Sequence, residues 1–257
     1  MNGWLAARRL ARLVVHLVHG LWVGHVRLRG APEAARLDRV QWWSAALLGH
    51  LGVELRAVGG LEPGAVLLAS NHVSWLDIAA LHAADPRIRF VSKAAVGHWP
   101  LIGGLARVAG TLFIERERKR DAMRVVHEVA AALGRGDAIG VFPEGTTGPG
   151  DSVLPFHANL LQAAIATEVP VQPVVIRYSQ PGRPVSAAAR YIGDTTLVGS
   201  LLRLAGAREV AVQVRFLDPV PTAGRQRREL CAALQHELSA RLEADIARAR
   251  VASHSSS

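Results

Sequence analysis

The sequence predicts an α/β fold: a single domain with a largely parallel central sheet flanked by helices, preceded by a pair of N-terminal helices. From residue 53 onward, short apolar runs of strand length alternate with helical patterns, the β-α-β order that builds a parallel sheet. Half of the 257 residues are hydrophobic, enough to cover both faces of such a sheet. The polar motifs that contain Gly and Pro fall at the ends of the apolar runs, where α/β folds place their binding crevices.

The first 52 residues read as two helices. In the first, Arg8, Arg9 and Arg12 precede the apolar run Leu13–Val23, and Arg27 and Arg29 follow it. His16 and His19 interrupt that run and no A-x-A cleavage pattern follows, so a signal peptide is not expected. The run is also short of the roughly 20 residues of a transmembrane helix. A helix lying in a membrane interface, with Trp4 and Trp22 at head-group depth, fits its basic flanks. A signal anchor and an amphipathic helix packed on the domain are the competing readings. The second helix starts near Pro32 or Glu33 and carries Trp42, Trp43, Leu47 and Leu48.

The main domain is expected over residues 53–224. Its candidate strands are Val53–Val58, Ala65–Ala69, Ile88–Val91, Thr111–Ile114, Ala138–Phe142, Val171–Tyr178 and Val210–Phe216. Helices are expected near 75–83, 119–134 and 157–167; residues 186–206 show no clear pattern. Pro170 and Pro173 argue that the strand at 171–178 lies at a sheet edge or starts irregularly, because proline cannot donate to a ladder. Residues 225–250 read as a basic helix with Leu230, Leu234, Leu238, Leu242 and Ile246 on one drifting stripe, which could pack on the domain or touch a membrane. Residues 251–257 read as a frayed tail.

With 30 Lys+Arg against 21 Asp+Glu, the formal charge is +9, which suits an anionic partner. Basic residues are not interleaved with aromatics as on a base-stacking surface, so no nucleic acid is expected. The single cysteine, Cys231, excludes an intramolecular disulfide and falls in a helical pattern as a packing residue. The 11 histidines show no metal-ligand spacing, so no metal is expected.

The stretch Asn71-His72-Val73-Ser74-Trp75-Leu76-Asp77 links an apolar strand to the apolar start of a helix. Five positions on a helix turn through roughly 500°, so His72 and Asp77 meet only if His72 lies in the turn before the helix. A carboxylate on Nδ1 would then fix the imidazole tautomer and leave Nε2 to take a proton. The same residues also read as a capping box, with Ser74 on an orphan amide and Asp77 at the positive helix end. Further on, the strand exit after Ile114 carries Arg116, Arg118, Lys119 and Arg120, a phosphate-binding cluster or a solvated helix start. After Phe142-Pro143 comes Glu144-Gly145-Thr146-Thr147-Gly148. Here Gly145 permits positive φ and close backbone approach, and Glu144 receives a substrate hydroxyl, holds the site's cations or lies in water as a turn residue.

In this order, Asn71-His72-x4-Asp77, Gly110–Arg116, Phe142-Pro143-Glu144-Gly145-Thr146 and Val169–Val174 resemble the motifs of the glycerolipid acyltransferase superfamily, especially the bacterial 1-acyl-sn-glycerol-3-phosphate acyltransferases. The resemblance spans roughly residues 65–177. It implies transfer of a fatty acyl group from an acyl-CoA or acyl-ACP thioester to a lysolipid hydroxyl at a membrane, with 1-acylglycerol-3-phosphate as the leading acceptor and no further cofactor. It makes His72 the general base and Asp77 its orienting partner. It places Asn71, Ser74, Lys93, Arg116, Glu144, Gly145 and Thr146 around the substrate, with Arg116 on the acceptor phosphate. It also implies that the helical pair associates with the cytoplasmic face of the inner membrane, peripherally or through one anchor helix.

Two departures favour a different head group. Thr147-Gly148 follows Thr146 where the family often has Arg or Ser, and Pro155-Phe156 is followed by His157-Ala158-Asn159 where basic residues are common. A lyso-ornithine lipid is the alternative acceptor, and a non-catalytic membrane-binding protein of the same fold is the alternative to an enzyme.

Overall fold

The strand that runs into the His72 stretch lies at the middle of the sheet. β2 (Val66–Ser70) is buried at every residue, with Val66 and Leu68 in one apolar cluster and Leu67 and Ala69 in another, as alternation demands of a strand covered on both faces. The computed structural model describes residues 3–26, 31–98, 102–114 and 119–254. Its other strands are β1 (Val53–Val58), β3 (Ile88–Lys93), β4 (Leu112–Ile114), β5 (Ala138–Val141), β6 (Val171–Ser179) and β7 (Val210–Phe216). They form one sheet in the order β1-β7-β6-β2-β5-β3-β4. Neighbours run parallel except β6 and β7, so β7 and β1 point opposite to the rest.

The helices among the described residues are α1 (Gly3–Val26), α2 (Glu33–Leu51), α3 (Asp77–Ala84), α4 (Ala94–Gly97), α5 (Ile102–Val108), α6 (Lys119–Gly134), α7 (Leu161–Ala166), α8 (Leu197–Gly206) and α9 (Arg227–His254). One face of the sheet is covered by α1, α2, α3 and α8, through residues such as Leu13, Leu48, Leu81 and Leu204. The other is covered by α6, α7 and α9, through Val129, Leu161 and Leu234. The chain leaves β2 through α3 on the first face to reach β3, and leaves β5 through α7 on the second face to reach β6. Because β2 and β5 are neighbours, their exits diverge, which makes their C-terminal ends the point where the strand order reverses.

Several expectations need correction. The N-terminal pair is not a separate unit, because Leu13, Leu47, Leu48 and Leu51 belong to the same core as the strands. Gly52, at φ 72, caps α2 in the left-handed conformation and β1 begins at the next residue. Of the two readings of the α9 leucine stripe, packing on the domain is the one found, with Leu230, Leu234, Leu238 and Leu242 fully buried, and Cys231 is buried there as the packing residue expected. That helix continues to His254, through residues expected to fray; residues 255–257 lie outside the described residues. The unassigned stretch contains α8, capped by Thr196, whose hydroxyl accepts from Gly199 N at 3.1 Å. α4 is too short, and α5 too rich in glycine, to show helical periodicity.

The proline-bearing strand is not an edge. β6 lies between β2 and β7, and it is the irregular start that accommodates Pro173. Leu217 N donates to Pro173 O at 2.9 Å, and an ordinary antiparallel pair would return a bond from residue 173 to Leu217 O. Proline has no such donor. The buried side chain of Gln172 replaces it, with Nε2 donating to Leu217 O at 3.0 Å and to Gly60 O at 2.9 Å, while Oε1 accepts from Glu62 N at 3.0 Å. Gln172→Leu, close in volume but unable to make these bonds, is expected to lower unfolding free energy by about 2–3 kcal/mol, read from the midpoint of urea denaturation at unchanged slope.

Candidate active site

The end of β2 is prolonged by a side chain. Asn71 donates from Nδ2 to Ile176 O at 2.9 Å and accepts at Oδ1 from Ile176 N at 2.8 Å, continuing the β2–β6 ladder beyond its last pair. Both halves of its amide are used and it is 1 % exposed, so Asn71 supports the strand end and does not face substrate, which corrects its expected place. Ser74 is likewise buried; its hydroxyl lies in the turn, 3.4 Å from Leu76 N.

His72 and Asp77 converge. The ring Nδ1 lies 2.8 Å from Asp77 Oδ2, because residues 72–76 form the turn and Asp77 opens α3. The same Oδ2 accepts from Val73 N at 2.7 Å and Ser74 N at 3.0 Å, and Oδ1 accepts from the Tyr178 hydroxyl at 2.8 Å. Asp77 is fully buried, and its charge is met by these four donors. The capping and orienting readings of Asp77 are thus one arrangement: the carboxylate that closes the turn also holds the ring. Phe142, at the exit of β5, stacks on the imidazole with centroids 3.9 Å apart and planes 12° apart, fixing the ring plane. The His72 side chain retains 19 % of its exposure, and Nε2 has no hydrogen-bond partner among the described residues.

The third motif wraps this turn from the neighbouring strand. Phe142 to Gly145 form a turn closed by Gly145 N to Phe142 O at 3.1 Å, with Gly145 at φ 69. Glu144 points inward, not into water: it is 4 % exposed, and its Oε1 accepts from His72 N at 3.0 Å. His72 O in turn accepts from Gly148 N at 2.6 Å. A Cβ at Gly148 would stand 3.0 Å from Glu144 Oε2, a contact so tight that the carboxyl would have to shift to admit it. Burial raises the Glu144 carboxyl to about 7, against the opposing pull of the His72 and Leu154 amides. Its Oε2 is buried without a hydrogen-bond partner among the described residues.

Gly145 and Thr146 are exposed at the mouth, and the exposed ring of His157 lies over Gly145. Lys93 ends β3, but its side chain lies outside the described residues, as do Arg116 and Arg118 and the side chains of Lys119 and Arg120. The stretch between β6 and α8 covers the opposite flank. Tyr191 N donates to Val73 O at 3.1 Å, the Thr147 hydroxyl bonds Tyr191 O, and Trp75 Nε1 donates to Ser200 Oγ at 3.1 Å. A cleft of about 320 Å³ lined by Arg36, Arg87, Arg89 and Asp137 opens beside residues preceding β2, β3 and β5, at the far end of the strands, and is separate from the site.

Known proteins share this chain's sequence and fold. The sequence profile described as "Acyltransferase" matches residues 56–177. The chain is 41% identical over 229 residues to the lyso-ornithine lipid O-acyltransferase of Pseudomonas aeruginosa, covering 88% of this chain and 87% of that one. The chain belongs to the acyltransferase family. It is also 34% identical over 215 residues to the 1-acyl-sn-glycerol-3-phosphate acyltransferase of Neisseria meningitidis serogroup B, covering 82% of each. The crystal structure of the 1-acyl-sn-glycerophosphate acyltransferase from Thermotoga maritima superposes with a TM-score of 0.68 at 21% identity, over 94% of this chain and 95% of that one, and thus shares the fold of this acyltransferase.

The sequence motifs did not reveal Tyr178 or the stacking of Phe142. Both are apolar-pattern positions in strands or at their ends, and only the tertiary contacts give them a part in the site.

The buried Glu144 gives this acyltransferase a stability that depends on pH. Its carboxyl binds a proton more tightly folded, at about 7, than at the ordinary 4.5, so its contribution is full below 4.5 and is lost as pH rises through 7. Glu144→Gln removes that dependence. Urea titrations should show the wild type losing stability relative to the variant between these limits, by on the order of 1–3 kcal/mol.

Proposed function

We propose that this protein is a lysolipid O-acyltransferase that moves a fatty acyl group from an acyl-CoA or acyl-ACP thioester to a lysolipid hydroxyl. The observation that carries the proposal is the His72–Asp77 couple, with Nδ1 held at 2.8 Å by a buried carboxylate and Nε2 left for a substrate proton. An alcohol is a weak nucleophile at neutral pH. As its oxygen attacks the thioester carbonyl, Nε2 takes the hydroxyl proton and Asp77 balances the imidazolium charge. The tetrahedral intermediate then collapses, the C–S bond breaks, and the imidazolium returns the proton to the departing thiolate. The ester forms without a covalent acyl-enzyme. Glu144 acts here as a brace: it holds the His72 amide and shapes the wall behind Gly145 and Thr146.

Lyso-ornithine lipid is the acceptor this chain's relatives favour, through the 41% identity over nearly the whole chain. The cation-free loop Gly145–Gly150 supports it. Lysophosphatidic acid is the second reading, supported by the Neisseria relative and by the basic run Arg116–Arg120. A purified-enzyme assay should pair both acceptors with both thioester donors, and lyso-ornithine lipid is expected to give the higher kcat/KM. His72→Ala should lower turnover by about a hundredfold or more while the chain stays folded. Asp77→Asn should lose most of the rate. Full activity of His72→Ala would remove the proposed base.

The enzyme acts at a lipid surface through α1, peripherally on the inner membrane's cytoplasmic face. Trp4, Val14, Val15, Val18 and Trp22 are exposed on that helix, the last four forming an outward apolar strip, and Arg8 and Arg12 are exposed beside it. No helix among the described residues is long and apolar enough to cross a membrane. Val15→Asp combined with Val18→Asp should weaken co-sedimentation with anionic phospholipid vesicles by about tenfold or more, with thermal unfolding unchanged.

A further inference from the structure

Tyr178 is fully buried near the end of β6 among apolar side chains, yet it carries a hydroxyl that a phenylalanine of nearly the same shape would lack. Burying a hydroxyl is costly unless it is bonded. Its partner is Asp77 Oδ1, at 2.8 Å, the carboxylate oxygen turned away from His72. The other oxygen takes the remaining three donors: the ring Nδ1 and the amides of Val73 and Ser74.

We propose that Tyr178 is a positioning residue of the site: its hydroxyl fixes which oxygen of Asp77 faces the imidazole and keeps the shared proton on the ring. The inference rests on His72 acting as the base. Without the hydroxyl, Oδ1 would be a buried acceptor with no donor among the described residues, and two rearrangements would relieve it. The two oxygens can exchange places at the ring, or the carboxylate, now the stronger base, can draw the Nδ1 proton toward Oδ2. Tyr178 blocks both. Burial and the charge of Asp77 hold its phenol well above the usual value of 10, so it remains a donor wherever the enzyme works. The titratable groups gathered here are His72 in the turn, Asp77 on α3, Tyr178 on β6 and Glu144 after β5; the other members of the cluster around Tyr178 are apolar.

The test is Tyr178→Phe, assayed beside the wild type with the same thioester and lysolipid across pH. The kcat should fall by about tenfold with the lysolipid KM unchanged, and the acid limb of kcat/KM should move to higher pH by about half a pH unit, since the couple takes up a proton more readily. The low-field Nδ1–H proton resonance, assigned by its loss in His72→Ala, should shift further downfield. An unchanged profile and resonance would overturn the proposal, as would a loss confined to KM or to thermal stability, which marks a core residue only. If the phenylalanine variant does not fold, 3-fluorotyrosine installed at position 178 keeps the shape and donates more strongly. It should move the limb and the resonance the opposite way, and no movement would again overturn the proposal. A wild type inactive with every donor and acceptor would defeat the proposed function instead, while the resonance would still report on Tyr178.

Discussion

The site depends on one buried carboxylate. Asp77 opens α3, and its two oxygens gather a ring nitrogen, two amides of the preceding turn and a phenol from the strand beyond β2. A charge this deep is tolerable only when fully matched, and the matching ties three separate pieces of chain to one point. The turn between β2 and α3 cannot relax without unpairing it. This explains why a histidine and an aspartate five positions apart, which would diverge on one helix, meet in this protein.

The second constraint is backbone contact between neighbouring strand exits. His72 is gripped on both sides of its peptide unit, its N–H by Glu144 and its carbonyl by Gly148. The loop after β5 therefore sets the height of the imidazole above the sheet, and stacking by Phe142 sets its tilt. The arrangement needs a carboxyl that reaches inward, a left-handed glycine just after it and a second glycine against the carboxyl. In the chain these appear as Glu144, Gly145 and Gly148.

Much of the architecture was legible because its signals are local. Strands β1 and β7 fall where their apolar runs predict, and α6 matches its expected span. The spacing showed that His72 and Asp77 could meet only with His72 in the turn before the helix, and that is where the turn places it. What stayed hidden depends on long-range contacts. Nothing near Tyr178 in the sequence says that a residue 101 positions earlier accepts its hydrogen bond. The resemblance placed Asn71 and Glu144 around the substrate, but here the side chain of each is taken up by a backbone amide. The edge placement of β6 failed for a related reason: proline is excluded from interior strands only where nothing else supplies its missing donor, and Gln172 supplies it.

That pairing has a further consequence. The strand Val171–Ser179 is buried on both faces over its first six residues, so inward–outward alternation says little about how it should align with its antiparallel neighbour. A slip along β7 would leave Pro173 opposite a carbonyl with nothing to satisfy it and strand the amide of Gln172 among aliphatic side chains. The Gln-Pro dipeptide thus works as a registration pin for the centre of the sheet, and because the same strand carries Tyr178 near its end, correct alignment there also decides whether a phenol arrives beside Asp77.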